Sequence, residues 1–307
     1  MSKPNIKIGH IAITDHLVLG VAKAKASAGE LPLELSTLET VCFEGWQEVG
    51  NAFSEGAIDG AFILAPYAMD LFKSGEKAKL LLLGHKNGSI LIKNKAANIK
   101  TITDFKGKTI IIPYQLSVHN MLIHKLLTEK GLTPGAGKDV MLEVMAPAQI
   151  PIALEYDEEG EIGGFIVAEP FGSQVVKKGI GEEMALSRDV WPGHPCCVFI
   201  VNEKILGQNY DAVQELVNNF VKAGQLITTN PHEAAAIGAG FLNQDRDVVE
   251  KILTSPADRI TTDELMPVRD DLAKMHEYIT AKLTVSKSTV DLDRFVDTKL
   301  AETAGAK

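Results

Sequence analysis

The chain has 307 residues, 45% of them hydrophobic and 23% charged, a composition that can bury a substantial core and excludes a disordered or fibrous protein. Its 31 Lys and Arg residues stand against 40 Asp and Glu residues, giving a formal charge of −9. This acidic balance argues against nucleic acid or an anionic membrane surface as a partner, because both are bound mainly through Lys and Arg. The length predicts two domains or one large domain.

Cysteine usage and apolar runs narrow the class further. Cys42 and the adjacent Cys196 and Cys197 form neither a C-x-x-C spacing nor an even set, so we expect buried free thiols rather than a disulfide framework or a zinc knuckle. The N-terminus lacks the apolar run of a secretory leader, and no stretch approaches the ~20 residues that cross a bilayer. We expect a soluble chain, periplasmic or at the cell surface if a leader has been removed and cytoplasmic if this is the full gene product.

The first 83 residues alternate between β-branched and helical composition, which predicts βαβ units. A capping residue opens the first helix, and Gly29 closes it. The predicted elements are strands over 6–13, 32–40, 58–64 and 80–83, with helices over 16–28, 46–54 and 66–74.

A second series of the same kind begins near Ser89, and a helical section follows it. This order predicts an α/β protein with two lobes, the second inserted into the first, and mostly parallel sheets with flanking helices. The predicted elements are strands over 89–93, 109–113, 140–145, 164–167 and 197–201, helices over 103–108, 118–130, 149–156 and 171–178, and C-terminal helices over 211–229, 232–242, 246–253 and 270–283.

Polar and aromatic side chains recur where the predicted strands lead into helices. In open α/β sheets, ligands bind beyond the carboxyl ends of the strands, and helix N-termini there supply N–H donors and partial positive charge. Two such edges facing each other across a cleft suit a small anion. The candidate ligand-binding residues are Thr14, Asp15, His16, Trp46, Pro66 and Tyr67 in the first lobe and Gln115, Ser117, His119, Asn120, Gln149, Glu169 and Phe171 in the second.

Each of these residues also has a purely structural interpretation. Thr14, Asp15 and Ser117 are good helix N-caps, each stabilising a helix by roughly 1 kcal/mol. Trp46 is equally suited to anchoring its helix in the core. The recurrence of such side chains at five or six junctions of one predicted edge favours a ligand site, because independent caps would not require aromatic residues there.

Signatures of catalysis are weak. The sequence lacks G-x-S-x-G, G-x-x-x-x-G-K-[ST], G-x-G-x-x-G after a strand and H-E-x-x-H. His194 and Cys196 could form an acid–base pair, but Pro195 separates them and no third group orients them. The acidic run over 155–161 lacks the spacing of a calcium loop. We therefore predict a protein that is not an enzyme, with no catalytic residues, no metal and no cofactor.

Several short segments resemble the extracytoplasmic solute-binding proteins of ABC transporters, in the NMT1/THI5-like branch that includes nitrate, bicarbonate, taurine and alkanesulfonate binders. The shared order of these segments along the chain strengthens the resemblance. They are the first strand and loop over 9–15, Trp46 with the segment over 56–66, the segment over 103–108, the pair His119 and Asn120, the segment over 147–149 and the segment over 168–171.

The resemblance implies a type II periplasmic-binding-protein fold, with lobe 1 formed by 1–88 and 202–307 and lobe 2 by 89–201. It implies crossovers near Lys86 to Ser89 and near Val201 to Glu203, and a ligand cleft between lobes that close by hinge motion. It also implies a monomer that delivers a small anionic or zwitterionic solute to the permease subunits of an ABC importer.

Some positions depart from the family's pattern. Phe171 stands where the family carries tryptophan, and Leu116 to Val118 replaces a Gly-Thr run, so the resemblance does not fix nitrate or bicarbonate as the solute. Asp15 and Glu169 would suit the amine of a zwitterion such as taurine, or a bound cation shared with an anion. The alternative functions are a cytoplasmic enzyme on the same fold that acts on a small carboxylated metabolite, with His119 or Glu169 as general base, and a cytoplasmic sensor domain.

Overall fold

The structure, a computed structural model, describes residues 3–286 and 289–307. Strands and helices alternate through the first two thirds of this chain, and helices dominate the rest. The strands are β1 (Asn5–Ile11), β2 (Thr37–Phe43), β3 (Gly60–Leu64), β4 (Ala78–Leu83), β5 (Lys86–Asn87), β6 (Ser89–Asn94), β7 (Thr109–Ile112), β8 (Met141–Val144), β9 (Ile162–Ala168), β10 (Gly181–Leu186), β11 (Cys197–Asn202) and β12 (Ile260–Thr261).

The helices cover both faces of the sheets. Short 3₁₀ turns at Thr14–His16 and Pro147–Gln149 lead directly into α-helices, and a third at Ile102–Phe105 precedes β7. A π-helical turn at Ile279–Leu283 extends another helix. The α-helices are α1 (Leu17–Ser27), α2 (Trp46–Ser54), α3 (Ala65–Lys73), α4 (Val118–Glu129), α5 (Ile150–Glu155), α6 (Phe171–Lys178), α7 (Ser187–Val190), α8 (Glu203–Gln208), α9 (Tyr210–Thr229), α10 (Pro231–Leu242), α11 (Arg246–Thr254), α12 (Arg269–Tyr278), α13 (Leu292–Phe295) and α14 (Lys299–Thr303). None of the helices in the described residues is long and apolar enough to span a bilayer.

Two five-stranded sheets organise the described residues, which confirms the predicted α/β class. The first sheet has the order β2-β1-β3-β11-β4, and the second has the order β10-β6-β9-β7-β8. We call the parts of the chain built on them the first and the second lobe. In each sheet two strand pairs are parallel and two are antiparallel, so the sheets are mixed rather than mostly parallel. The antiparallel pairs arise where the chain enters or re-enters a sheet after a crossover.

Strand β11 corrects one predicted boundary. It pairs with β3 and β4 of the first sheet, so the chain has returned to the first lobe by Cys197 rather than near Val201 to Glu203. The apolar sequence of β11 predicts a buried strand, but apolarity cannot show in which sheet the strand lies. The sequence also indicates 197–201 as the strand on which the chain returns, and this agrees with the pairing of β11; the predicted boundary at 201 is drawn after that strand.

The two crossovers between the lobes lie side by side. Lys86 forms an isolated bridge with Pro195, and the N–H of Asn87 donates to the His194 carbonyl at 3.0 Å. The short strand β12 pairs with β5 on the outgoing crossover and thereby joins the C-terminal section to it. The region where the lobes meet is thus bordered by three chain segments that hydrogen-bond to one another.

Two strands differ from their predicted form because they lie at sheet edges. Strand β2 begins at Thr37 rather than near Pro32, and it is half-exposed, so Cys42 is exposed rather than buried as predicted. Strand β10 is not among the predicted strands. It lies at a sheet edge with its glutamates facing solvent, and its composition resembles that of a helix. Strands β3, β7 and β11 lie inside the sheets and are largely apolar, and the sequence predicted them with boundaries within two residues.

Candidate functional site

The loop after β1 carries the first group of predicted site residues into the interior. Thr14, Asp15 and His16 form a single 3₁₀ turn between β1 and α1, and all three side chains are fully buried. The N–H of Thr14 donates to the Glu169 carbonyl of the second lobe at 2.8 Å. This backbone hydrogen bond joins the two predicted ligand edges directly, so the lobes are in contact at the site.

Asp15 forms a buried ion pair with His85, which follows β4. Asp15 Oδ2 lies 2.9 Å from His85 Nε2, and the Cys196 thiol donates to the same oxygen at 3.7 Å. Burial raises the pKa of Asp15, because the carboxylate loses its hydration. Burial also opposes the charged form of His85, but the Asp15 carboxylate outweighs it and raises the pKa of His85 to about 10. The two side chains therefore hold a proton between them at neutral pH.

Glu169 also has a charged partner already. Its carboxylate accepts a hydrogen bond from Arg259 Nη1 at 2.6 Å, and the N–H and hydroxyl of Ser173 donate to it at 3.0 and 2.8 Å. Burial raises the pKa of Glu169, although Arg259 and Ser173 oppose that shift. Asp15 is paired with His85, and Glu169 is paired with Arg259. Because both carboxylates already have a cationic partner, they no longer favour an amine-bearing ligand.

The N-terminus of α4 supplies the second wall. Ser117 caps this helix, since its hydroxyl accepts from Asn120 N–H at 3.1 Å and donates to the Tyr114 carbonyl at 2.7 Å. His119 is fully buried, and its Nε2 forms a hydrogen bond with Ser89 Oγ at 2.8 Å. Burial lowers the pKa of His119 to about 3, so its ring is neutral at physiological pH and offers one donor and one acceptor.

Aromatic and amide side chains complete the walls. The ring of Trp46 stands edge-on to that of His16, with centroids 5.8 Å apart. Nearer to solvent, the Tyr114 hydroxyl of the second lobe donates to Gln47 Oε1 of the first at 2.8 Å, and Gln47 Nε2 donates to the Tyr67 hydroxyl at 3.2 Å. These three side chains form a polar contact between the lobes, which we call the Gln47 latch.

Buried side-chain polar atoms without a hydrogen-bond partner in the described part of the chain concentrate at this site; we call them the open polar atoms. Such atoms are rare in folded proteins, because burial without a partner costs free energy, and they point to a bound molecule, ion or water. The set comprises Thr14 Oγ1, Asp15 Oδ1, His16 Nε2, Trp46 Nε1, His85 Nδ1, His119 Nδ1, Asn120 Oδ1 and His194 Nε2.

The predicted site residues divide into three groups in the structure. Six of them carry open polar atoms, and Asp15 among them also pairs with His85: Thr14, Asp15, His16, Trp46, His119 and Asn120. Pro66, Tyr67 and Phe171 are buried, while Ser117 and Glu169 have their hydrogen bonds within the fold. Gln115 and Gln149 are exposed, which places their side chains outside the buried part of the site. Their role as ligand-binding residues remains a prediction.

Sequence reasoning missed three residues that the fold brings to the site. His85 and Ser89 flank the outgoing crossover. His85 closely follows β4 and Ser89 begins β6, and this position between two predicted strands is a signal that could have identified them. Arg259 lies in the helical section, far from Glu169 along the chain, and no local pattern marks it. His194 was considered only with Cys196; burial lowers the pKa of His194 to about 3.

One group of side chains at the site has the donor atoms of a metal centre. Asp15, His85, Cys196 and Cys197 are all buried, and each offers a ligand atom within 4.8 Å of the others. These residues form no local motif in the sequence because they are widely separated along the chain, which is why no metal ligands are predicted there.

Curated and solved proteins resemble this chain over most of its length. The nitrate import ATP-binding protein NrtC of Synechocystis is 31% identical over 235 residues, which are 72% of this chain but 33% of that protein. The chain thus spans about a third of the length of this curated relative. A ligand-binding component of an ABC-type import system from Staphylococcus aureus, solved with zinc bound, superposes with a TM-score of 0.87 at 27% identity and covers 98% of this chain and 99% of that one.

A second solved structure bears on the fold alone. The periplasmic nitrate-binding protein NrtA of Synechocystis superposes with a TM-score of 0.86 at 19% identity, covering 99% of this chain and 89% of that one. The predicted periplasmic-binding-protein architecture is therefore confirmed. The model of the NMT1-like family matches residues 1–242. The chain belongs to the NMT1-like family.

Proposed function

We propose that this protein is the solute-binding component of an ABC importer and that it captures a small anionic or zwitterionic solute between its lobes. The observation that carries the proposal is the set of open polar atoms. Those of Thr14 and Trp46 come from the first lobe, and those of His119 and Asn120 come from the second. A solute that bonds to atoms of both lobes stabilises their contact, which is how ligand binding drives hinge closure.

The charges and hydrogen-bonding groups of the site suit a small solute that carries either a single negative charge or one negative and one positive charge. The carboxylates at the site are paired with His85 and Arg259, and burial keeps the rings of His119 and His194 neutral. The Trp46 indole N–H is a donor by its chemistry, and the Thr14 hydroxyl can act as one. Neutral donors in a buried site bind nitrate, bicarbonate or a sulfonate without an opposing free carboxylate.

The relatives support the same class. Their names include nitrate import, nitrate binding and an ABC-type import system. By extension, we propose that the protein delivers its solute to membrane permease subunits as a monomer and acts by binding without chemical conversion. A periplasmic or cell-surface location follows if a leader precedes the mature chain.

Mass spectrometry of whatever small molecule leaves the purified protein on denaturation is the direct test of this proposal. The released molecule, and a panel of nitrate, bicarbonate, taurine and a short alkanesulfonate, would then be tested for a rise in melting temperature, since a ligand that binds only the folded state stabilises it. We expect one of these solutes to raise the melting temperature and to be recovered unchanged after incubation. Recovery of a converted product would instead support the enzyme alternative.

A second candidate is a solute-sensing domain of a transporter's ATP-binding subunit. The chain is similar to an ATP-binding protein of nitrate import along about a third of that protein's length, and this similarity favours a sensing domain. Both candidates bind a solute, so the discriminating measurement is association. A sensor domain would copurify with an ATP-binding subunit, whereas a delivery protein would bind permease subunits reconstituted in a membrane.

A further inference from the structure

Four metal-binding side chains meet where β4, β11 and the turn after β1 come together. We propose that Asp15, His85, Cys196 and Cys197 form a binding site for a divalent cation that prefers thiolate and imidazole ligands, with zinc as the expected ion. The inference concerns the chain's own metal content and does not depend on the importer function. It revises the sequence-based expectation that the protein binds no metal.

The sheet holds these residues in place. Strand β11 pairs with β3 through Cys197 and Leu64, and with β4 through Val198 and Leu83. The N–H of Gly84 donates to the Cys197 carbonyl at 2.8 Å, so the chain leaving β4 is fixed beside the start of β11. Side chains on packed strand ends are positioned more accurately than those on free loops, and metal sites require such accuracy.

The separations are close to those of a metal centre. Asp15 Oδ2 lies 2.9 Å from His85 Nε2 and 3.7 Å from Cys196 Sγ, and the donor atoms of all four residues lie within 4.8 Å of one another. Ligands at about 2.0 to 2.3 Å from a tetrahedral zinc ion lie roughly 3.3 to 3.8 Å apart. The cluster therefore needs only small side-chain movements to coordinate zinc.

Asp15 and His85 each carry one open polar atom in addition to Asp15 Oδ2 and His85 Nε2, the atoms that lie closest to each other in the cluster. Asp15 Oδ1 and His85 Nδ1 lack partners in residues 3–286 and 289–307, and both side chains are fully buried. Both atoms face the backbone of Gly88, where a β-carbon would lie 2.8 Å from Asp15 Oδ1 and 3.0 Å from His85 Nδ1. Gly88 has a φ of +88°, so glycine is favoured there for its conformation as well as for the close approach.

The donor types select the ion. Binding of a divalent cation releases to solvent the proton that Asp15 and His85 share and the proton of one thiol. The cation with the Asp15 carboxylate, one thiolate and the neutral imidazole of His85 then gives a site with no net charge, which a buried position favours. The remaining thiol, that of Cys197, is available as the fourth ligand. Calcium and magnesium prefer oxygen ligands, whereas sulfur and nitrogen donors in a four-ligand set favour zinc and, as a spectroscopic substitute, cobalt(II).

The test uses the 307-residue chain, reduced and freed of metal by a chelator, and titrated with cobalt(II). We expect one equivalent of cobalt to produce thiolate-to-metal charge-transfer absorption, and zinc to displace it. Cys196→Ser should remove that absorption and weaken zinc binding by at least about tenfold in competition with a chelator. Cys42→Ser is the matched control, since this cysteine is exposed on β2 and lies outside the cluster, and it should bind like the parent chain.

A second variant guards against loss of the fold. Asp15→Asn keeps the shape of the side chain, and circular dichroism reports whether each variant is folded. We expect zinc to raise the melting temperature of the parent chain and of Cys42→Ser, and to leave that of folded Asp15→Asn or Cys196→Ser unchanged. Absence of charge-transfer absorption in the parent chain would overturn the proposal. So would equal zinc affinity in the parent chain and in both cluster variants.

Discussion

The Arg259 guanidinium lies 2.6 Å from the Glu169 carboxylate, and both side chains are buried. A second contact, at 2.7 Å, joins Arg259 to Glu183 on the edge strand β10. Arg259 directly precedes β12, which pairs with the crossover strand β5, whereas both carboxylates belong to the second lobe. One side chain from the C-terminal section thus links the crossover region to the second lobe and neutralises a carboxylate at the edge of the candidate ligand site.

Removing this guanidinium should therefore destabilise the protein strongly. We expect Arg259→Met to lower the free energy of unfolding by about 3 to 5 kcal/mol, because Glu169 would remain buried without its charge partner. Urea unfolding followed by circular dichroism measures the change. The control is Lys177→Met, whose partners Asp245 and Asp247 are exposed; its loss should stay below about 1 kcal/mol. Similar losses for the two variants would contradict this role of Arg259.

The Gln47 latch should influence how readily the lobes separate. Tyr114→Phe removes the hydroxyl that donates to Gln47 across the lobes, a hydrogen bond worth about 0.5 to 1.5 kcal/mol. We expect weaker solute binding by up to roughly tenfold and a larger radius of gyration in small-angle X-ray scattering without solute. Tyr156→Phe, at a side chain that is 80% exposed, is the matched control. If Tyr114→Phe behaves like this control in both measurements, the latch does not affect closure.

The buried ring of His10 predicts a loss of stability in mild acid. It stacks on Phe241 with centroids 4.6 Å apart, and burial, helped by the charge of Lys23, lowers the pKa of His10 to about 4 from 6.5. The unfolded chain therefore takes up this proton before the folded chain does. The contribution of His10 to stability is complete above pH 6.5 and falls by up to about 3 kcal/mol as the pH drops to about 4.

Urea unfolding between pH 7 and pH 4.5 tests this prediction. His10→Gln cannot take up the proton, so its free energy of unfolding should depend less on pH than that of the parent chain. His232→Gln is the control, because the His232 side chain is 69% exposed. Parallel pH profiles for the parent chain and His10→Gln would show that His10 is not responsible for acid sensitivity.

The open polar atoms predict which substitutions abolish solute binding. Trp46→Phe removes the indole N–H while keeping an aromatic ring, and we expect the thermal stabilisation by the identified solute to fall markedly. Trp46→Ala combined with His119→Ala should abolish it. Trp191→Phe, at a tryptophan outside the set of open polar atoms, is the control and should retain the stabilisation. Full stabilisation in the double variant would refute the assignment of these two residues to the site.

Much of the site's outline could be predicted from the sequence because it follows from local rules. The strand-to-helix junctions identified Thr14, Trp46 and His119, since ligand edges form where parallel strands end. The capping rule also indicated Ser117 as a helix N-cap, and its hydrogen bond from Asn120 N–H confirms this. No local rule could show that the side chain of Gln149 is exposed, because this depends on the direction in which the side chain leaves its element.

The sequence by itself determined the α/β class, because hydrophobic period and capping residues act within single elements. Its charge of −9 also argues against nucleic acid or an anionic membrane surface as a partner. Only the tertiary structure decided which groups are paired. The Asp15–His85 and Glu169–Arg259 contacts join residues that are 70 and 90 positions apart. Such contacts are set by strand order and by the crossovers, which bring distant segments together without leaving a local pattern in either one.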